Sequence, residues 1–105
     1  MRKPTEAERR LLARLAHADN LTTEWLDGLT VAEMDDGGMG SLRLAPEGKD
    51  NPDRAFGRAG EQLEFADADG IPVIASLYLD DAGAPLELEM WKVDFTPLVR
   101  IPDFD

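Results

Sequence analysis

The chain of 105 residues contains no cysteine and only one histidine. Without cysteine, disulfides, thiolate metal sites and a cysteine nucleophile are excluded. Small secreted domains often depend on disulfides, so this composition favours a reducing compartment, and we predict a cytoplasmic protein. The chain also lacks the ~20 consecutive apolar residues of a membrane-spanning helix, and its first residues lack the apolar stretch of a signal peptide.

Positive charge is scarce. The chain has 11 basic and 22 acidic side chains, so its net charge is −11. Residues 1–18 carry five basic and two acidic side chains, whereas residues 19–105 carry six basic and 20 acidic ones. A negative field of this kind repels nucleic acid and anionic membranes and attracts basic partners. We therefore expect no binding to nucleic acid or membrane. Solubility alone is the alternative explanation of the charge.

The hydrophobic pattern predicts one helix, from Thr5 to about Ala18. It begins with a capping box, Thr5-Glu6-Ala7-Glu8. The single histidine, His17, falls on the polar face. A short helical turn over residues 22–26 should place Trp25 over one end of the core. The apolar stripe of the helix consists of Ala7, Leu11, Leu12, Leu15 and Ala18.

From Leu29 onward the hydrophobic period is two, which is typical of strands. Residues 29–34 and 41–44 predict a hairpin around a glycine-rich turn, and residues 61–94 predict a three-strand meander. We expect a loop over 45–60 and an extended or capping tail over 96–102. The chain is thus predicted to be a single α+β domain, residues 1–105, with the helix packed on an antiparallel sheet of about five strands. Either a continuous sheet or a hairpin packed apart from the meander fits the connection lengths.

No pattern in the sequence predicts catalysis, a cofactor or a metal site. Asp67-Ala68-Asp69-Gly70 resembles the start of a calcium loop, but the twelfth position is Tyr78, where that loop needs glutamate. The glycines at 37–40 follow two aspartates and precede a strand, unlike a phosphate-binding loop. We therefore predict a protein that is not an enzyme, with no catalytic residue, no metal ligand and no cofactor.

The segment Glu87–Phe95 is the strongest candidate for a binding surface. If Leu88 and Met90 face the core, then Glu87, Glu89 and Trp91 share the opposite face. Acidic residues beside a large aromatic suit the recognition of a basic partner. The alternative is that a second layer or the tail covers Trp91. With two turn aspartates added, the predicted partner contacts are Asp35, Asp36, Glu87, Glu89, Trp91 and Asp94.

Two segments resemble a family of small uncharacterised bacterial proteins. They are Glu33–Leu42 (EMDDGGMGSL) and Trp91–Leu98 (WKVDFTPL), and the Arg-Pro or Lys-Pro start of that family corresponds to Arg2-Lys3-Pro4. The resemblance covers most of the chain, is weakest over 45–60 and implies no activity. In size and charge such proteins are similar to the immunity proteins of bacterial toxin systems.

Two functional hypotheses follow. The first is an acidic inhibitor, an immunity protein that neutralises a basic toxin domain, present as a monomer or as a weak homodimer. The second is a small-ligand-binding or enzymatic domain with its pocket between helix and sheet, lined by Trp25, His17 or Tyr78. A plainer possibility, separate from both hypotheses, is a subunit that dimerises through an unpaired sheet edge. An acidic face with Trp91 exposed favours the first hypothesis, and a deep helix–sheet pocket favours the second.

Overall fold

The computed structural model describes residues 1–48 and 50–104. One helix and a five-stranded antiparallel sheet form an α+β fold, as predicted. The elements are helix α1 (Glu6–Ala18), a 3-10 turn (Glu24–Leu26) and strands β1 (Thr30–Glu33), β2 (Leu42–Ala45), β3 (Phe56–Ala66), β4 (Pro72–Asp80) and β5 (Pro85–Lys92).

Helix α1 begins with the predicted capping box. The Thr5 hydroxyl accepts from Glu8 N at 3.1 Å, and Glu8 Oε1 accepts from Thr5 N at 2.7 Å. The predicted stripe was wrong at one position, since Ala18 is exposed and Ala16 is buried. The buried arc of the helix is centred between Leu12 and Leu15, so Ala16 falls within it and Ala18 at its margin. Within the described residues, no helix has both the length and the hydrophobicity to cross a membrane.

The sheet is continuous, with the strand order β1-β2-β5-β4-β3. The hairpin of β1 and β2 joins the meander of β3, β4 and β5 through the neighbouring strands β2 and β5. Only two pairs, Leu42↔Leu88 and Arg43↔Glu87, connect these two strands. This short ladder makes the β2–β5 junction the narrowest connection in the sheet.

Helix α1 covers one face of the sheet, which we call the inner face. The predicted alternation is confirmed, because the inner-facing residues of β4 and β5 are buried together with Leu11, Leu12 and Leu15 of the helix. The opposite, outer face carries Glu87, Glu89 and Trp91. The inner-facing residues of the two strands are Val73, Ala75, Leu77, Leu79, Leu86, Leu88 and Met90.

The prediction of a loop over 45–60 was wrong at its end, because β3 already begins at Phe56; Lys49 lies outside the described residues. Gly57 and Gly60 suggested a loop, but both lie within β3. The pairing of β3 with β4 shifts between Phe56 and Arg58 and again between Ala59 and Gln62. A Cβ atom on Gly57 would collide with the carbonyl oxygen of Asp80. Gly57 therefore permits a close approach of two strands, a role that glycine also serves in strands.

The tail predicted over 96–102 is present and extends to residue 104, without helix or strand. Leu98, Ile101 and Phe104 pack against the core. The tail also reaches the turn between β1 and β2, where Leu98 N donates to Gly38 O at 2.9 Å. The tail thus contacts both the core and the hairpin.

Candidate functional site

A cleft lies where β2 and β5 separate. Beyond the last ladder pair, the buried hydroxyl of Ser41 replaces the ladder: Oγ accepts from Met90 N at 2.9 Å and donates to Met90 O at 3.3 Å. The cleft has a volume of about 310 Å³, and we call it the seam cleft. Its lining residues are Met34, Asp35, Asp36, Met39, Ser41, Glu87, Glu89, Met90 and Trp91.

Five of the six predicted contact residues line the seam cleft. Asp94 does not. Its Oδ1 accepts from Thr96 N at 3.1 Å and from Thr96 Oγ1 at 2.6 Å, and these hydrogen bonds lower the pKa of Asp94. Four carboxylates line the cleft, and no basic side chain among residues 1–48 and 50–104 does. Within residues 1–48 and 50–104, no three acidic or histidine side chains are grouped to hold a metal ion.

Asp36 holds the turn that forms one wall of the cleft. Its Oδ1 accepts from Met39 N at 3.1 Å and its Oδ2 accepts from Ser41 N at 2.9 Å. Burial raises the pKa of Asp36, but the hydrogen bonds from Ser41 and Met39 outweigh it and hold the pKa below its usual range. Asp36 is therefore ionised at neutral pH and fixed in position, whereas its neighbour Asp35 is exposed.

Glu89 is fixed by a tyrosine of the neighbouring strand. Tyr78 donates its hydroxyl proton to Glu89 Oε2 at 2.8 Å, and this hydrogen bond, with burial and nearby negative charge, raises the pKa of Tyr78 to about 12. In the described part of the chain, Glu89 Oε1 has no hydrogen-bond partner. One oxygen thus orients the carboxylate and the other is available to a ligand.

Glu87 lies two residues before Glu89 on the same face of β5 and contacts the neighbouring cation Arg43. Its Oε1 lies 3.7 Å from Arg43 Nη1, an ion pair without a hydrogen bond, and Arg43 Nη2 also lies 3.2 Å from Asp50 Oδ1. Both side chains are only partly exposed, 22 % for Arg43 and 26 % for Glu87. Because this ion pair lacks a hydrogen bond, a ligand cation that donates one to Glu87 would make the closer contact.

An aromatic pair borders the cleft. Trp91 is 43 % exposed, and neither a second layer nor the tail covers it within residues 1–48 and 50–104. Its ring lies 6.4 Å, centroid to centroid, from that of Phe95, which is 68 % exposed. Phe95 was not among the predicted contacts. Strand alternation ends with β5 at Lys92, and residues 93–94 form a turn, so the position of Phe95 depends on that turn and not on a strand pattern.

The tail supports the cleft wall from the inner side. A Cβ atom on Gly38 would lie 3.4 Å from Pro97 Cβ, and one on Gly40 would lie 2.9 Å from Leu98 Cδ2. Both glycines have positive φ, 81° and 101°, so the turn depends on them for conformation as well as for space. The position of the tail thereby determines the position of this turn.

A buried ion pair holds the tail in place. Asp67 accepts from Val99 N at 2.8 Å and from Arg100 N at 3.0 Å. Lys92 Nζ donates to Asp69 Oδ2 at 2.6 Å and to Pro97 O at 3.1 Å, and it lies 2.9 Å from Asp67 Oδ2. Burial lowers the pKa of Lys92, but the hydrogen bonds to Asp69 and Asp67 have the larger combined effect. The pKa of Lys92 therefore lies above its usual value. The two aspartates therefore bind a lysine, in place of the calcium ion that their spacing superficially suggests.

The three residues proposed for a helix–sheet pocket lie apart. His17 is exposed on the helix, beside a shallow depression of about 290 Å³ with Arg10, Ala13 and Arg14. Tyr78 lies on the outer face, and Trp25 packs at the core with its Nε1 donating to Thr22 O at 2.6 Å. These three side chains form no common site.

Comparisons with known proteins place the chain in a family. No curated protein matches the chain, and no solved structure matches it. A family model described as "Domain of unknown function (DUF6984)" matches residues 1–102, nearly the whole chain. The chain therefore belongs to this family of proteins with a domain of unknown function.

Proposed function

We propose that this protein binds a basic protein through the seam cleft and thereby inhibits it, in the manner of an immunity protein that neutralises a basic toxin domain. One observation carries the proposal: four carboxylates and an exposed tryptophan line one cleft, and no basic side chain that the structure describes lines it with them. Aromatic side chains supply much of the binding energy of protein interfaces. The carboxylates supply complementarity to a cationic surface.

The charge of the whole chain supports the same proposal. A net charge of −11 on 105 residues produces a long-range field that steers a basic partner toward the protein. Steering of this kind raises association rate constants toward the order of 10⁸ M⁻¹s⁻¹ at low salt. Rapid association is valuable to an inhibitor that must capture a harmful protein.

The cleft is also organised before binding. Backbone N–H groups hold Asp36, and Tyr78 holds Glu89. Groups that are already ordered lose little conformational entropy on association, which increases affinity. A set of freely rotating surface carboxylates would lack this advantage.

Affinity capture with matched variants tests the proposal. The tagged wild-type protein, a Glu87→Gln/Glu89→Gln variant and a Glu47→Gln/Glu61→Gln control are expressed in the native cells. Both variants lose two negative charges, but Glu47 and Glu61 do not line the cleft. We expect a basic protein to be retained by the wild type and the control at low salt, to be released at high salt and to be lost from the cleft variant.

The activity of the retained protein completes the test. The purified wild-type protein should abolish that activity at stoichiometric concentration, and the cleft variant should not. Equal retention by the two variants would contradict the cleft as the binding site, and a retained partner that stays fully active would contradict inhibition.

A further inference from the structure

Phe95 combines a disfavoured backbone with an exposed ring. Its φ is 63°, in the left-handed region that bulky side chains rarely adopt and that glycine and asparagine tolerate. Its ring is 68 % exposed, so the side chain contributes little burial in return. Strained residues of this kind cluster at functional sites, where the surrounding structure maintains them. Stability therefore does not explain a phenylalanine at this position.

The turn that carries Phe95 is firmly held. Phe95 N donates to Lys92 O at 2.8 Å, and Asp94 fixes the following residue, Thr96. The side chain of Lys92 is buried and bound to Asp67 and Asp69. The exposed ring thus projects from a rigid base and stands beside Trp91, which is also a wall of the seam cleft.

The chemistry of this surface matches arginine followed or preceded by an aliphatic residue. A guanidinium is flat and always charged, so it can stack on the indole of Trp91 while donating to Glu89 and Glu87. A lysine ammonium offers no flat face. The neighbouring Phe95 ring has no hydrogen-bonding group and offers apolar area, which an aliphatic side chain beside the arginine fits.

We infer that Phe95 is a partner-contact residue, and that the seam cleft receives a segment with an arginine beside an aliphatic residue: the guanidinium lies on Trp91 between the carboxylates, and the aliphatic side chain packs on Phe95. This inference rests on the proposed function and specifies the chemistry of the partner. The charge of the cleft and its continuity with the aromatic pair are the observations that select this occupant.

Three dipeptide probes test the inference by NMR titration of the isotope-labelled protein. They are acetyl-Leu-Arg-amide, its neutral citrulline analogue, and acetyl-Gly-Arg-amide. At about 20 mM, where even a site of millimolar Kd is occupied, the Leu-Arg probe should shift the Trp91 indole signal and the amide signals of Glu89 and Phe95. The indole of Trp25, which is bonded to Thr22 O, serves as the internal control.

The probes should differ in a defined order. The citrulline analogue should bind about tenfold more weakly, because it lacks the charge that the carboxylates recognise. The Gly-Arg probe should bind several-fold more weakly than Leu-Arg to the wild type, and this difference should vanish in Phe95→Gly. Such a cycle isolates the contact between the leucine and Phe95.

Thermal unfolding separates recognition from structure. Phe95→Gly relieves the strain, so its Tm should equal or exceed that of Phe95→Ala, which retains a Cβ atom. If Phe95→Gly instead melts well below Phe95→Ala, or if the Leu-Arg preference survives in Phe95→Gly, the inference is overturned. If the probes fail to shift Trp91 while the cleft-dependent capture succeeds, this inference falls and the proposed function stands.

Discussion

The ammonium nitrogen of Lys92 lies 2.9 Å from Oδ2 of Asp67, and both side chains are fully buried. Lys92 ends β5, and Asp67 directly follows β3. Through Pro97, Val99 and Arg100 the pair also binds the tail, which in turn contacts the turn at 38–40. A charged pair inside the protein thereby positions one wall of the seam cleft on its surface.

Asp67→Asn should strongly destabilise the protein. The substitution leaves the buried ammonium of Lys92 without its fully buried counter-charge, so we expect the Tm to fall by on the order of 10 °C or more. Asp69→Asn is the matched control, because it removes the other carboxylate that binds Lys92. The side chain of Asp69 is 40 % exposed, whereas that of Asp67 is fully buried. Circular dichroism melts should show a clearly smaller loss for the control. Equal losses would mean that burial of the pair is unimportant.

Stability should fall in acid because of the same carboxylate. Burial raises the pKa of Asp67, but hydrogen bonds from Val99 N, Arg100 N and Lys92 outweigh it, so the folded pKa lies well below the usual value. A lowered pKa stabilises the fold above the unfolded-state value of about 3.9, and this contribution is lost as the pH falls through the folded pKa. Urea unfolding should therefore show a free energy that declines below about pH 4. The Asp67→Asn profile should be shallower there, and parallel profiles would refute this assignment.

Tyr78 should report the state of Glu89. It is the only tyrosine in the chain, so absorbance of the phenolate measures one group. We expect the pKa of about 12 in the wild type and a value closer to the ordinary 10 in Glu89→Gln, because the charge of the carboxylate is removed. Glu61→Gln is the control and should leave the titration unchanged. Circular dichroism at each pH must show a folded protein, and an unaltered pKa in Glu89→Gln would disprove the hydrogen bond.

Ser41→Ala should destabilise the junction of β2 and β5. The substitution leaves the buried N–H and C=O of Met90 without the hydroxyl that satisfies them, at a cost of about 1–3 kcal/mol in the free energy of unfolding. Ser76→Ala removes another buried hydroxyl, but one bonded to the side chain of Gln62, and should cost less. Chemical denaturation of both variants makes the comparison, and a smaller loss for Ser41→Ala would contradict the bridging role.

Local signals explain why much of the fold was predictable. Thr5 and Glu8 mark the helix start because a capping box depends on residues three apart. Alternation from Val73 to Met90 identifies two strands and their buried faces because strand side chains point alternately to opposite faces. The start of β3 was missed because Gly57, a residue typical of turns, lies here at a close approach of two strands. The need for glycine at position 57 comes from the backbone of Asp80, which is 23 residues away in the sequence. No local pattern around Gly57 could therefore reveal it.

The candidate site was predictable in part for the same reason. Glu87, Glu89 and Trp91 share a face by strict alternation, and that relation needs no tertiary information. Their meeting with Asp35 and Asp36 depends on β2 pairing with β5, which sequence patterns leave open. The pairing of Lys92 with Asp67 likewise depends on the sheet order, although Lys92 continues the inward phase of Leu88 and Met90.

The narrow connection between β2 and β5 has a consequence for how the protein responds to a ligand. Two residue pairs and one serine join the hairpin to the meander, so transient opening at this junction should require less free energy than opening of the long β3–β4 ladder. The cleft spans the junction, with Asp35 on one side and Glu89 on the other. An occupant that contacts both sides would stabilise the closed junction between β2 and β5. It would therefore suppress amide hydrogen exchange in β2 and at Met90 more than elsewhere.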